Sequence, residues 1–206
     1  DLGETVLQLA LSSYFLKDRA AADRAWKLID VWFLAPETYM TPALEYGQAI
    51  RGVSPGRGIG IIDSRPLISC AQGAALLDAS FPNAQASAGL KKWFAQYVHW
   101  LTTSTKGTDE RNNGNNHATW WTAQVAAYAV YCGDERAERL AYDHYRNVLV
   151  PTQLRPDGSA PKEEARTKSL SYTAMNLDGF ALLCRLAERR GHDLWSFKTK
   201  EGAGVL

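Results

Sequence analysis

The stretch YAVYCGDERAERLAY, Tyr128 to Tyr142, runs from an apolar segment through a Gly-Asp turn into a segment rich in alanine and arginine. The same order recurs in SSYFLKDRAAADRAW, Ser12 to Trp26, with Lys-Asp at the turn. LCRLAERRGHDLWSF, Leu183 to Phe197, echoes the first half of that unit. Repeated helix–turn–helix units predict stacked antiparallel helical hairpins, as in a solenoid or a helical toroid.

Working outward, the helical period dominates. Leu7, Ala10, Leu11, Tyr14 and Phe15 recur at the spacing of one helix face, as do Ala22, Ala25, Trp26, Ile29 and Phe33. An alanine-rich helix from Leu67 to Leu77 follows Pro66, a residue suited to a helix's first turn. Further stripes run Leu90–Trp93–Phe94–Tyr97–Leu101, Trp121–Val125–Tyr128–Ala129–Cys132, Ala137–Leu140–Ala141–Tyr145–Val148 and Leu177–Phe180–Ala181–Cys184. Period-two alternation is scarce. A short hairpin is expected around QLRPDGSAP, where Asp157-Gly158 signals a turn.

The 206 residues suffice for one domain with a sizeable core. A net charge of +1 argues against a dedicated nucleic-acid binder, which shows a clear basic excess. No apolar run has membrane-spanning length. Cys70, Cys132 and Cys184 lie apart in apolar runs with no CxxC spacing, so buried thiols are expected, with one disulfide plus one free thiol as the alternative. The first residues, DLGETVLQLALSSYFL, read as helix with no lead-in, as in a fragment or processed form.

Two long connections interrupt the helices, and long loops are where function concentrates. One runs from Ala35 to Pro66 and carries Tyr46, Gln48, Arg51, Arg57 and Arg65 among several glycines. The other runs from Ser104 to His117 and ends in RNNGNNHATWW, Arg111 to Trp121. Asparagine and glycine there read as a turn leading to a helix cap. Asn-Asn-His before two tryptophans is more particular than a cap requires. Downstream, KEEARTKSLSYTAMN places Tyr172 and Asn176 on one helix face if the helix begins at Ser169, with Arg166 and Lys168 just before it.

Other chemistries find less support. His99, His117, His144 and His192 show no HxH, HExxH or carboxylate pairing at metal-ligand spacing, so no metal or cofactor is expected. There is no GxSxG nucleophile motif and no phosphate loop, and the glycines of GRGIGII read as a tight turn. A glycosidase needs two acids facing each other across a sugar. Glu163 and Glu164 are adjacent and do not meet that demand, which leaves Asp63 and Asp109.

YGQAI…GRGIGIID, NNHATWW and ARTKSLSY…NLDGF, in that order, resemble the alginate-lyase-type polysaccharide lyases from about Thr5 to about Trp195. GRGIGIID and RTKSLSY are closer to the branch that includes glucuronan-active lyases than to the bacterial mannuronate lyases. The resemblance implies an all-α fold: an incomplete α/α toroid of antiparallel helical hairpins, shortened at its N-terminus, with residues 1–206 as its single domain. It implies metal-independent β-elimination on a polyuronate, mannuronate-rich alginate or glucuronan, leaving 4,5-unsaturated uronate ends. Carried over residue by residue, Asn116 and Arg166 would hold the uronate carboxylate. Tyr172 would protonate the leaving oxygen and serve as base for one epimer, and His117 would be the base or activate Tyr172. Tyr46, Gln48, Arg57, Arg65, Asn115, Trp120, Trp121 and Lys168 would contact the sugar chain. Arg166 stands one residue nearer the tyrosine than in the mannuronate lyases, which leaves Arg57, Arg65 and Lys168 as alternative charge partners. The expected partner is an acidic polysaccharide, with no nucleic acid and no membrane. A monomer and a secreted or periplasmic location are expected. An α/α-barrel glycoside hydrolase using Asp63 or Asp109, and a non-catalytic acidic-glycan-binding module, remain the alternatives.

Overall fold

A computed structural model describes residues 1–206. It is all-helical, with no β-strand and two isolated bridges. The α-helices in chain order are α1 (Leu2–Leu16), α2 (Arg19–Ile29), α3 (Leu67–Ser80), α4 (Ala84–Thr103), α5 (Thr105–Arg111), α6 (Asn116–Cys132), α7 (Glu135–His144), α8 (Val150–Gln153), α9 (Pro161–Glu164) and α10 (Ser169–Arg189). Five-residue π-helical turns extend α2 through Leu34 and α7 through Leu149, and a 3-10 helix covers Gly58–Ser64. No helix is long and apolar enough to cross a membrane.

The sequence repeat is a pair of helix caps. Lys17 ends α1 in the left-handed region at φ 57°, and the Asp18 side chain then accepts the Ala21 N–H at 3.0 Å to start α2. Gly133 ends α6 at φ 80°, and Asp134 accepts the Ala137 N–H at 3.0 Å to start α7. A left-handed residue followed at once by an aspartate stops one helix and opens the next within two residues. The neighbouring helices therefore pack as hairpins.

One core cluster of 39 buried residues runs from Val6 to Leu194. The α6 helix lies at its centre: every residue from Thr119 to Ala129 except Trp120 is buried, on all faces. Such a helix must be covered on every side. The α4 aromatics supply one cover, with Phe94 stacked on Tyr128 at 4.8 Å between ring centroids. Trp121 is fully buried and donates Nε1–H to the Leu101 carbonyl at 3.1 Å. Trp121→Ala is expected to lower stability by about 3–5 kcal/mol, read as a fall in the urea midpoint.

Three local expectations differ from the structure. The buried face of α1 is Gly3, Val6, Ala10 and Ser13, while Leu11, Tyr14 and Phe15 are exposed. Close packing on α3 selects the small residues: a Cβ on Gly3 would fall 1.8 Å from the Pro66 carbonyl oxygen. The Arg155–Ser159 segment forms a turn, closed by Arg155 N–H to Ser159 O at 3.0 Å, without strands. The Ser104–His117 connection contains α5, capped by Ser104 Oγ accepting the Gly107 N–H at 3.0 Å.

The Ala35–Pro66 loop is anchored from beneath by buried polar groups. Ser64 Oγ lies 2.7 Å from both Tyr97 OH and Gln124 Oε1. Tyr128 OH donates to the Ser64 carbonyl at 3.1 Å. These bonds fix the 3-10 helix, and with it Asp63 and Arg65, against α4 and α6.

Candidate active site

The start of α6 carries the first half of the site. The Asn115 side chain caps the helix by accepting the His117 N–H at 3.0 Å. His117 lies in the first turn with its ring partly exposed, and Nδ1 is 2.9 Å from Glu110 Oε1 on α5. Glu110 is fully buried. Burial pushes its carboxyl above the usual range, and the bond from His117 acts in the opposite direction. With Glu110 ionised, Nδ1 carries the imidazole proton and Nε2 is left as a proton acceptor. A buried carboxylate that fixes one ring nitrogen thus sets what the other can do.

The second half begins at α9. Glu163 is buried, and its two oxygens take the Asn116 backbone N–H at 2.5 Å and the Asn116 Nδ2 at 2.8 Å. Beyond it, the Arg166 guanidinium lies 4.0 Å from the centroid of the Tyr172 ring, a cation–π contact. Lys168 is exposed at the cap of α10. One turn beyond Tyr172, Asn176 points inward and donates Nδ2–H to Gln153 Oε1 at 2.9 Å. Gln153 also accepts from Thr119 Oγ1 at 3.1 Å and donates to the Asn115 carbonyl at 3.0 Å. Buried hydrogen bonds therefore tie the histidine turn to α8, α9 and α10.

The long loop supplies a third group. Arg57 donates to the Gln48 carbonyl and to Gln48 Oε1, each at 3.1 Å, and Gln48 Nε2 donates to Asp63 Oδ2 at 2.9 Å. Arg65 lies 5.3 Å over the Trp120 ring and 2.9 Å from Met175 Sδ. Trp120 in turn donates to the Met175 carbonyl at 3.1 Å. Neither Arg57, Arg65 nor Arg166 forms a salt bridge, so three guanidinium groups stand without a carboxylate partner. An open polar pocket of about 660 Å³ is lined by Glu45, Arg57, Lys106 and Asp109 among others. Tyr46 is exposed on the loop surface.

Two expectations need correction. Trp121 is core and offers no wall to a ligand, because its ring is fully buried and its N–H is taken by Leu101. Asn116 is also fully buried, and its amide donor is directed to Glu163 rather than to a ligand carboxylate. Glu110, Gln153, Glu163 and Met175 are the contributors that sequence reasoning did not single out. No group of three or more His, Cys, Asp or Glu side chains converges as a metal-binding cluster.

Fold and site together define an all-helical domain with a histidine–glutamate pair at the start of its central helix and unpaired arginines on the long loop and beside Tyr172. The alginate lyase family model matches residues 1–205, and the chain belongs to that family. A crystal structure of an alginate lyase from Bacteroides ovatus is similar at a TM-score of 0.94 and 32% sequence identity. The match covers 99% of this chain and 55% of that one, so the chain spans about half the length of that relative. No curated protein matches it.

Proposed function

We propose that the protein is a polysaccharide lyase that cleaves a polyuronate, mannuronate-rich alginate or glucuronan, by β-elimination. The observation that carries the reading is the Asn116–Glu163 pair, which joins the turn bearing His117 to the segment bearing Arg166 and Tyr172. Membership of the alginate lyase family supports the same reaction class.

The chemistry sets three demands. The C5–H beside a uronate carboxylate is very weakly acidic, so charge that spreads into the carboxylate must be stabilised. Arg166, with Arg65 on the loop side, supplies donors without a competing carboxylate. Preorganised donors of this kind contribute a few kcal/mol each. His117 Nε2 takes the C5 proton, the C5–H electron pair forms the C4=C5 double bond, and the C4–O bond breaks. Tyr172 OH gives its proton to the departing oxygen. The products are a chain end with a free hydroxyl and a 4,5-unsaturated uronate. In the second assignment, for one C5 epimer, Tyr172 is the base as well. Gln48, Arg57, Asn115, Trp120, Lys168 and Tyr46 line the path of the sugar chain. The helical hairpins form part of an α/α toroid around that path, and the acidic polysaccharide is met outside the cytoplasm.

The test is a product assay on a panel of polymannuronate, polyguluronate and glucuronan, each with chelator present. The expected result is a rise in ultraviolet absorbance from the conjugated double bond with at least one polymer. No rise with any polyuronate rejects the lyase reading for this chain.

A further inference from the structure

The segment that carries Arg166 has few means of staying in place. From Pro161 to Ser171, ten of eleven residues are exposed or half-buried, and the one buried residue is Glu163. The α9 helix is a single turn and buries no apolar side chain. Hydrophobic anchoring, the usual way to fix a connection, is therefore missing over the whole stretch. What reaches inward is a carboxylate.

We infer that Glu163 is a positioning residue: its buried carboxylate pins the Arg166–Tyr172 segment to the turn that presents His117. The inference rests on the elimination reading above. Both carboxylate oxygens are engaged, one by the Asn116 backbone N–H and one by Nδ2. The acceptor sits at the N-terminus of the seventeen-residue α6, where free N–H groups and the helix dipole favour negative charge. No Lys or Arg forms a salt bridge with Glu163. Asn116 and the helix end are thus what compensate the buried charge, and a buried charge without partners is costly. From that anchor the geometry passes along the backbone. Arg166 N–H donates to the Glu163 carbonyl at 3.1 Å, and Arg166 stacks on Tyr172. Lys162, Glu164 and Lys168 flank this path on the exposed side. Loss of the anchor leaves the helical core intact and lets the Arg166 segment drift. A misplacement of about 1 Å costs on the order of 10²-fold in rate.

The conservative variant is informative because of a second feature. Asn116 Oδ1 is buried and has no hydrogen-bond partner. In Glu163→Gln, turning the Asn116 amide over lets Oδ1 accept from the new Nε2 while the backbone N–H still donates to the new Oε1. Both links survive, the charge is lost, and Nδ2 takes the buried, partnerless position that Oδ1 held.

The experiment compares wild type, Glu163→Ala and Glu163→Gln in two readouts. One is kcat and KM on the polyuronate that wild type cleaves. The other is hydrogen exchange at amides 163–166, which are bonded to Ala160, Pro161 and Glu163 carbonyls, against the amides of α6. For Glu163→Ala, kcat is expected to fall about 100-fold with KM within about threefold. Exchange at 163–166 should rise about tenfold or more while α6 beyond its first turn keeps wild-type protection. Glu163→Gln should recover kcat to within about tenfold of wild type, because the two links are retained. The inference is overturned if Glu163→Ala keeps kcat within about threefold, if exchange at 163–166 is unchanged, or if all of α6 loosens equally. If wild type cleaves no polyuronate, the elimination reading has failed, and exchange alone decides whether Glu163 is the anchor.

Discussion

His117→Ala and His117→Asn are both expected to lower turnover of the polyuronate by about 10²–10⁴-fold, the range of general acid–base assistance. The two variants separate chemistry from packing. In His117→Ala, Glu110 stays fully buried and loses the partner at Oε1, so some stability goes with the activity. In His117→Asn, the shorter amide can place Nδ2 near the position of Nδ1 and keep the donor to Glu110. What it lacks is the second ring nitrogen. The proton-transfer role therefore predicts equal losses of activity but unequal losses of stability, read by kcat and by thermal unfolding of the same preparations. Near-normal turnover in His117→Asn would remove the imidazole from proton transfer and leave it a structural bond to Glu110.

The reach and limit of the sequence follow from how local each signal is. The hairpins were legible because Lys17-Asp18 and Gly133-Asp134 carry their own stop and start, each within two residues. The exposed side of α1 was not. Its large residues made the stronger stripe, and what buries the opposite side is the close approach of α3 to Gly3, a long-range fact. The site divides the same way. His117 and Tyr172 stood out from their neighbours in sequence. Glu110 did not, because it lies in a charged stretch that reads as loop. Its burial depends on α5 folding back on α4, where a Cβ on Gly107 would meet the Leu101 carbonyl at 2.0 Å. Glu163 and Glu164 were indistinguishable in sequence. In the fold one turns inward to Asn116 and the other stays exposed, accepting the Ala160 N–H at 2.7 Å. Trp120 and Trp121 divide in the same manner, since adjacent helix positions face different neighbours.

Tyr172→Phe is expected to lower kcat by about 10²–10⁴-fold with KM within about threefold. The substitution is unusually clean here. Arg166 stacks on the ring face, 4.0 Å from its centroid, and phenylalanine keeps that face. Arg166 should therefore remain in place, and only the hydroxyl proton is lost. Tyr172→Ala removes the platform as well, releases Arg166 and should fall further in kcat. The ordering also assigns the second proton. If His117 is the base and Tyr172 the acid, each conservative variant disables one of two transfers, and their losses are similar. If Tyr172 performs both, Tyr172→Phe costs far more than His117→Asn, and the His117 variant retains a pH profile like that of wild type. Measuring both variants on polymannuronate and on polyguluronate makes the distinction within one protein. The Glu110–His117 pair is the same in each assay, and the two substrates are C5 epimers. Turnover of Tyr172→Phe within about threefold of wild type on every polymer would take the phenol out of the reaction.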